Sequence, residues 1–314
     1  MPNISGKNNE WISIYFYLDK DLEEFLINCI KPATEFLYSQ ELIISFFFIR
    51  YMENGLHYRL RFRVAKTKDV NATFLKIKTA LLDNIHGSGL LSREKAEESL
   101  QISKYFPETK RYGGPLKINI AETQFHYSTK AVMDLIAINI SNWTYEVALA
   151  TALKMHLTFI ESMETTSDEK YQFVEFLLKV FLPYSSKIFT STEGSDEKNR
   201  RTLTAFSDIF EAGKVKTTHD LQQFLKNIKN DNAAVYQQWI KNNNEVFREI
   251  DVITGIEERK SPNDYSNADD IIKLKKLSWH IYVSYIHMTN NRLGVKVADE
   301  AYLMYILFRF YKSD

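Results

Sequence analysis

From Leu56 to Val64 the chain alternates without a break, with Leu56, Tyr58, Leu60, Phe62 and Val64 in one set of positions and His57, Arg59, Arg61 and Arg63 in the other. A β-strand sends successive side chains to opposite faces, so this order gives one apolar face and one unbroken basic face. Same-face neighbours on a strand lie roughly 7 Å apart. Each adjacent Arg pair therefore repels by about 0.6 kcal/mol in water and about 2.4 kcal/mol at an effective dielectric near 20. Two readings are open: a solvated face balanced by acidic neighbours, or a partly enclosed row that attracts anions.

The neighbouring segments supply a sheet. Trp11 to Leu18 and Leu42 to Tyr51 are β-branched and aromatic runs, and the link Met52-Glu53-Asn54-Gly55 joins the second to the basic strand as an antiparallel hairpin. Helical spacing marks Asp21 to Tyr38, interrupted at Pro32, then Asn71 to Asn84 and Ser92 to Leu100. The stretch Tyr105 to Pro115, with two prolines and Gly113-Gly114, reads as loop. Ser128 reads as an N-cap and Glu122 as a surface carboxylate. Beyond them Ala131 to Ser141, Tyr145 to Met163, Asp168 to Leu182, Asn199 to Glu211, Asp220 to Asn242, Asp269 to Asn290 and Asp299 to Tyr311 are amphipathic helices. Ser191 to Arg201 and Glu257 to Asp270 read as polar loops. The fold class is α+β, an amino-terminal antiparallel sheet with helices (1–127) packed against a mainly helical carboxy-terminal half (128–314) within one domain, 1–314.

Composition narrows the function. Lys plus Arg and Asp plus Glu are equal at 40 each, so no global charge draws the 314-residue chain to nucleic acid or to an anionic membrane. The basic strand is a local concentration. Cys29 is the single cysteine, in an apolar stretch, which leaves no disulfide framework and no cysteine metal site. The longest apolar run, Leu42 to Ile49, is too short to span a bilayer, and the polar Met1 to Glu10 is no secretory signal. A cytoplasmic protein is expected.

Three further stretches place reactive groups where structure alone does not demand them. Glu108 and Arg111 precede Tyr112-Gly113-Gly114, where the glycines would let backbone approach a ligand closely. Ala121-Glu122-x-x-Phe125 follows, and Ile286-His287-Met288 with Asn291-Arg292 ends at a C-terminal Gly294. Together with Phe47-Phe48-Ile49-Arg50-Tyr51 and His57-x-Arg59-x-Arg61, in this order and over nearly the whole chain, they resemble the carboxy-terminal glutamate-elimination domain of lantibiotic dehydratases. The same family is labelled the thiopeptide-type bacteriocin biosynthesis domain. The chain looks like the free-standing elimination half of a split system.

That resemblance implies a lyase acting on a ribosomal precursor peptide. A separate glutamyl-tRNA-dependent subunit esterifies Ser or Thr with glutamate, and this domain expels the glutamate to leave dehydroalanine or dehydrobutyrine. It implies Arg59, Arg61, Arg111 and His287 as catalytic residues, with Glu108, His57 and Arg63 in support. Nearby guanidinium groups would keep His287 neutral, while a helix C-terminus pulls the other way. Whether His287 takes the Cα proton or protonates the leaving group is open. No metal or organic cofactor is implied and no direct contact with nucleic acid or membrane; a homodimer is compatible with the sequence. Two alternatives stand beside it: a thiopeptide [4+2] pyridine-forming cyclase of the same fold, and a non-catalytic module that binds peptide along an open sheet edge.

Overall fold

The computed structural model describes residues 11–19, 22–186, 194–228, 234–258 and 268–312. The chain divides into two compact units, Met1–Pro107 with Phe125–Trp143 and Glu108–Gln124 with Thr144–Asp314.

The first unit is built on an antiparallel sheet of order β2-β3-β1-β4, with β1 Trp11–Tyr17, β2 Ile43–Tyr51, β3 His57–Val64 and β4 Leu100–Ser103. The hairpin turns through Asn54 and Gly55 at φ of 60° and 107°, left-handed values that Asn and Gly accept at little steric cost. β3 is an inner strand, so its two rows meet neighbours on both sides. Leu60 and Phe62 are fully buried with Ile14 and Phe16 of β1 and Phe48 of β2. Among the helices of this unit are α1 Leu22–Phe25, a π-helical turn Leu26–Ile30, α2 Lys31–Ser39, α3 Val70–Ser88 and α4 Arg93–Ser99. Phe25 stacks on Phe16 at 4.6 Å, and the Tyr58 hydroxyl donates to the Leu22 carbonyl at 3.0 Å, which fastens α1 to the apolar sheet face.

Three local expectations give way here. Pro32 does not interrupt the helix, because the π turn precedes it and Pro32 falls in the first turn of α2, where its missing N–H has no intrahelical role. β4 is a four-residue strand whose Leu-Gln-Ile-Ser order is too short to read as periodic. Helix α5, Ile118–Asn139, begins well before Ala131, so Ser128 is an interior helical residue and no N-cap. The reason is visible in burial: Ala121, Phe125, Ser128, Val132 and Ile136 form one buried stripe at helical spacing, with Ser128 as its polar member. Glu122 is buried as well, contrary to its reading as a surface carboxylate.

The second unit is helical: α6 Tyr145–Glu161, α7 Ser167–Ser185, α8 Ser195–Ile228, α9 Ala234–Glu258, α10 Ala268–Leu293 and α11 Val297–Tyr311. α8 starts inside the expected polar loop Ser191 to Arg201 and runs straight through Gly213, since one glycine costs a helix only about 1 kcal/mol. The expected helix Asp220 to Asn242 falls partly on α8 and partly on α9, with 229–233 outside the described residues. Most of the expected loop Glu257 to Asp270 also lies outside them. α10 ends as its sequence predicts: Gly294 adopts φ 81° and the Val295 N–H donates to the Asn290 carbonyl at 2.9 Å.

Candidate active site

In the first unit, strand register decides what faces the basic row. Cα partners in an antiparallel pair share a face, so His57, Arg59, Arg61 and Arg63 stand beside Tyr17, Tyr15, Ser13 and Trp11 of β1 and beside Tyr51, Ile49, Phe47 and Ser45 of β2. The row is not a solvated face: His57 is 2% exposed and Arg61 4%. Its guanidinium groups lie against aromatic rings. Arg59 is 3.3 Å from the Tyr51 ring centre and 4.9 Å from that of Tyr15. Arg61 lies 5.2 Å from the Tyr15 ring and 5.5 Å from that of Tyr105, and Arg63 lies over Trp11 at 5.9 Å. Such cation–π contacts are each worth about 0.5 to 2 kcal/mol, yet they carry no compensating negative charge.

His57 is committed to Arg59. Its Nδ1–H donates to the Gly55 carbonyl at 2.8 Å, and Nε2 accepts from Arg59 Nε at 3.3 Å, a pattern that requires the neutral imidazole. Burial holds its pKa below the usual histidine range, and the Arg59 and Arg61 charges add to that against the Gly55 hydrogen bond. Arg61 Nη1 donates to the Leu60 carbonyl at 3.2 Å, while its buried Nε has no hydrogen-bond partner among the described residues. Neither Arg59 nor Arg61 has a carboxylate partner among the described residues. Arg50, in the same hairpin but in the alternate row, contrasts with them, bonding Glu23 at 2.6 Å.

Tyr15 lies between the two arginines and sequence reasoning passed over it, because one tyrosine in an aromatic strand carries no signal of its own. The Ser103 and Arg61 side chains reach its hydroxyl and favour its ionised form. Burial pushes the phenol up, but the Ser103 hydroxyl and the Arg61 and Arg59 charges outweigh it and hold Tyr15 below the usual phenol range.

The second unit carries Arg111 and His287. Arg111 Nη1 donates to Glu108 at 3.1 Å and Nε donates to the Ser284 hydroxyl of α10 at 3.2 Å. The turn holding Arg111 closes with the Gly114 N–H on the Thr109 carbonyl at 2.8 Å. Gly113 serves packing: at φ 80° an added Cβ would sit 2.6 Å from Ile281 Cδ1 and 2.8 Å from Lys117 Cδ. Tyr112 stacks on Tyr285 at 6.0 Å, and burial pushes its phenol up to about 12.

His287 leans on a carboxylate rather than on the guanidinium groups expected from sequence. Nδ1 lies 2.9 and 3.1 Å from the two oxygens of Glu300, which is 1% exposed in the acidic first turn of α11. Asn290 Nδ2 donates to the same carboxylate at 3.2 Å, and His156 Nε2 donates to Asn290 Oδ1 at 2.6 Å. Burial drives His156 down to about 4, so it is a neutral donor that fixes which way Asn290 points. Through Asn290, that fixes Glu300. With Nδ1–H held by Glu300, Nε2 of His287 is the nitrogen left to exchange a proton. No short motif in the sequence marks Glu300 or His156. Arg292, beside them in sequence, is fully buried, and burial pulls its pKa down to about 9.

A cavity of about 820 Å³ in the second unit is lined by Glu161, Lys170, Lys226 and Tyr311 and holds neither Arg111 nor His287. Among the described residues no three His, Cys, Asp or Glu side chains group closely enough to hold a metal ion, and no helix is long and apolar enough to cross a membrane.

Comparison with known proteins adds the family context. Residues 11–311 match the protein family described as Lantibiotic biosynthesis dehydratase C-term. The chain is 23% identical over 306 residues to the epidermin biosynthesis protein EpiB of Staphylococcus epidermidis, which covers 97% of this chain and 26% of EpiB. It thus spans about a quarter of that relative's length. Among solved structures it is similar to TbtD, a pyridine synthase from thiomuracin biosynthesis, at 10% identity and a TM-score of 0.66 over 97% of this chain and 98% of TbtD. TsrL is similar at 14% identity and a TM-score of 0.64, over 97% of this chain and 95% of TsrL. The tRNA dependent lantibiotic dehydratase MibB from Microbispora sp. 107891 gives 18% identity and a TM-score of 0.56, over 99% of this chain and 28% of MibB. At these identities the structures speak to the fold.

Proposed function

Because the chain belongs to the family of lantibiotic biosynthesis dehydratase carboxy-terminal domains, the elimination domains, we propose that it is a lyase that removes glutamate from glutamylated Ser or Thr of a ribosomal precursor peptide. The product is dehydroalanine or dehydrobutyrine, and the substrate comes from a glutamyl-tRNA-dependent glutamylating partner. The observation that carries this reading is the Arg59–Arg61 pair, enclosed among tyrosine rings with no carboxylate partner among the described residues. Repulsion between two such guanidinium groups is relieved by a bound anion. The reaction releases one.

Elimination takes the Cα proton, forms the Cα=Cβ bond and breaks the Cβ–O bond, whose electron pair leaves on the ester oxygen as glutamate carboxylate. Arg59 and Arg61 hold that carboxylate, with His57 aligning Arg59 and Arg63 adding charge along the row. Arg111, oriented by Glu108 and Ser284, stabilises negative charge building on the peptide as Cα loses its proton. His287 takes the proton through Nε2, and Glu300 holds the ring by Nδ1 in the tautomer that leaves Nε2 able to accept it.

The same fold in a pyridine synthase keeps a cycloaddition in view. The Arg59–Arg61 pair favours elimination, since joining two dehydroalanines releases no glutamate and needs no carboxylate site. The test is co-expression with a precursor peptide and its glutamylating enzyme. Peptide should emerge dehydrated with the native chain and glutamylated with Arg61→Ala; glutamylated peptide in both samples overturns the proposal.

A further inference from the structure

Tyr15 brings to the Arg59–Arg61 pair a hydroxyl to which the reaction above gives no task. It stands opposite Arg59 on β1, its ring between the two guanidinium groups. A guanidinium can only donate, so the hydrogen bond between Arg61 and Tyr15 runs from Arg61 into the phenol oxygen. The Tyr15 O–H is therefore itself a donor. Ser103, like Arg61, favours the ionised phenol, so it too approaches that oxygen as a donor. Arg61 Nε, buried without a hydrogen-bond partner among the described residues, adds a second donor to the same surroundings.

Resting on the reading of this chain as a glutamate-eliminating lyase, we propose that Tyr15 is a catalytic hydrogen-bond donor that, with Arg59 and Arg61, binds the carboxylate released from the substrate. As the Cβ–O bond breaks, its electron pair moves to the ester oxygen and Tyr15 donates its hydrogen bond to that oxygen. Tyr15 keeps its proton throughout; the Cα proton goes to the base. A phenol held below its usual range is a stronger donor, which agrees with this role.

The groups facing Tyr15 are His57, Arg59 and Arg61 of β3, with Tyr51 of β2, Tyr17 of β1 and Tyr105 beyond β4 around them. None of these is a carboxylate, so ionisation of Tyr15 removes a donor and adds a charge that competes for the arginines. Elimination should therefore fall on the alkaline side. The test uses the full chain and a synthetic peptide bearing one O-glutamyl-threonine, followed in single turnover, with glutarate as competing carboxylate. Tyr15→Phe should slow elimination by about ten- to a hundredfold and weaken glutarate inhibition about tenfold, with thermal unfolding unchanged. Replacing Tyr15 by 2,3-difluorotyrosine, which keeps ring and hydroxyl, should retain activity and move its alkaline loss to lower pH. If Tyr15→Phe eliminates at the native rate and is inhibited by glutarate as before, the Tyr15 role is wrong and the lyase reading stands. If Tyr15→Phe does not fold, the fluorinated protein decides, and an unmoved alkaline limb overturns the role. A native chain that releases no glutamate overturns the lyase reading and this role with it.

Discussion

Glu300 presents both carboxylate oxygens to Nδ1 of His287, at 2.9 and 3.1 Å, from a position that is 1% exposed. A buried carboxylate needs donors, and this one also receives Asn290, itself fixed by His156. The consequence reaches His287: its ring is oriented, and its proton assigned to Nδ1, by residues that stand 13 and 3 positions away or on another helix.

Glu300→Gln should lower elimination on the order of 10²-fold, because an amide can donate into Nδ1 and leave the proton on Nε2, the wrong tautomer for a base. Single-turnover rates on a glutamylated peptide measure this. A native rate in this variant would remove Glu300 from the account and weaken the case for Nε2.

Arg61→Lys should fail nearly as badly as Arg61→Ala, with losses of about 10² to 10³-fold. A lysine is a point charge and cannot reproduce the planar fork stacked between Tyr15 and Tyr105. Full rescue by lysine would show that charge alone is what the row supplies.

His156 gives a pH signature in stability. Its folded pKa, about 4, lies below the unfolded value near 6.5, so between those values the unfolded chain binds more protons. Stability from this residue is present above pH 6.5 and is lost as pH falls toward 4, by at most about 3 kcal/mol. Urea unfolding at pH 7 and pH 5 should show the slope, and His156→Gln should flatten it. An unchanged slope in the variant contradicts the burial argument.

Gly113→Ala should destabilise the protein by roughly 1 to 3 kcal/mol, since the residue sits at φ 80° and its new Cβ would meet Ile281 at 2.6 Å. Denaturant midpoints check it. Gly114→Ala, at φ 100° with no atom within 4 Å of its Cβ, carries the backbone penalty alone and should cost less.

The sheet and its hairpin were legible because period-two alternation and an Asn-Gly turn are local signals. So was the end of α10, where Gly294 follows the last periodic residue. What local pattern could not carry was partnership across long sequence separation. Tyr15 meets Arg59 only through strand order, since β1 pairs with β3 rather than with β2. Glu300, in an acidic first turn, has the composition of any helix start. Ser128 misled because a buried polar residue inside a helix has the same identity as a cap.

The central claim is that this chain expels glutamate, and mass measurement tests it most directly. The purified chain is incubated with a peptide carrying a single O-glutamyl-threonine and nothing else that could dehydrate it. The account predicts stoichiometric loss of glutamate to give dehydrobutyrine with the native chain, and intact glutamylated peptide with Arg61→Ala. Glutamylated peptide left unchanged by the folded native chain, or eliminated equally by both proteins, would contradict it.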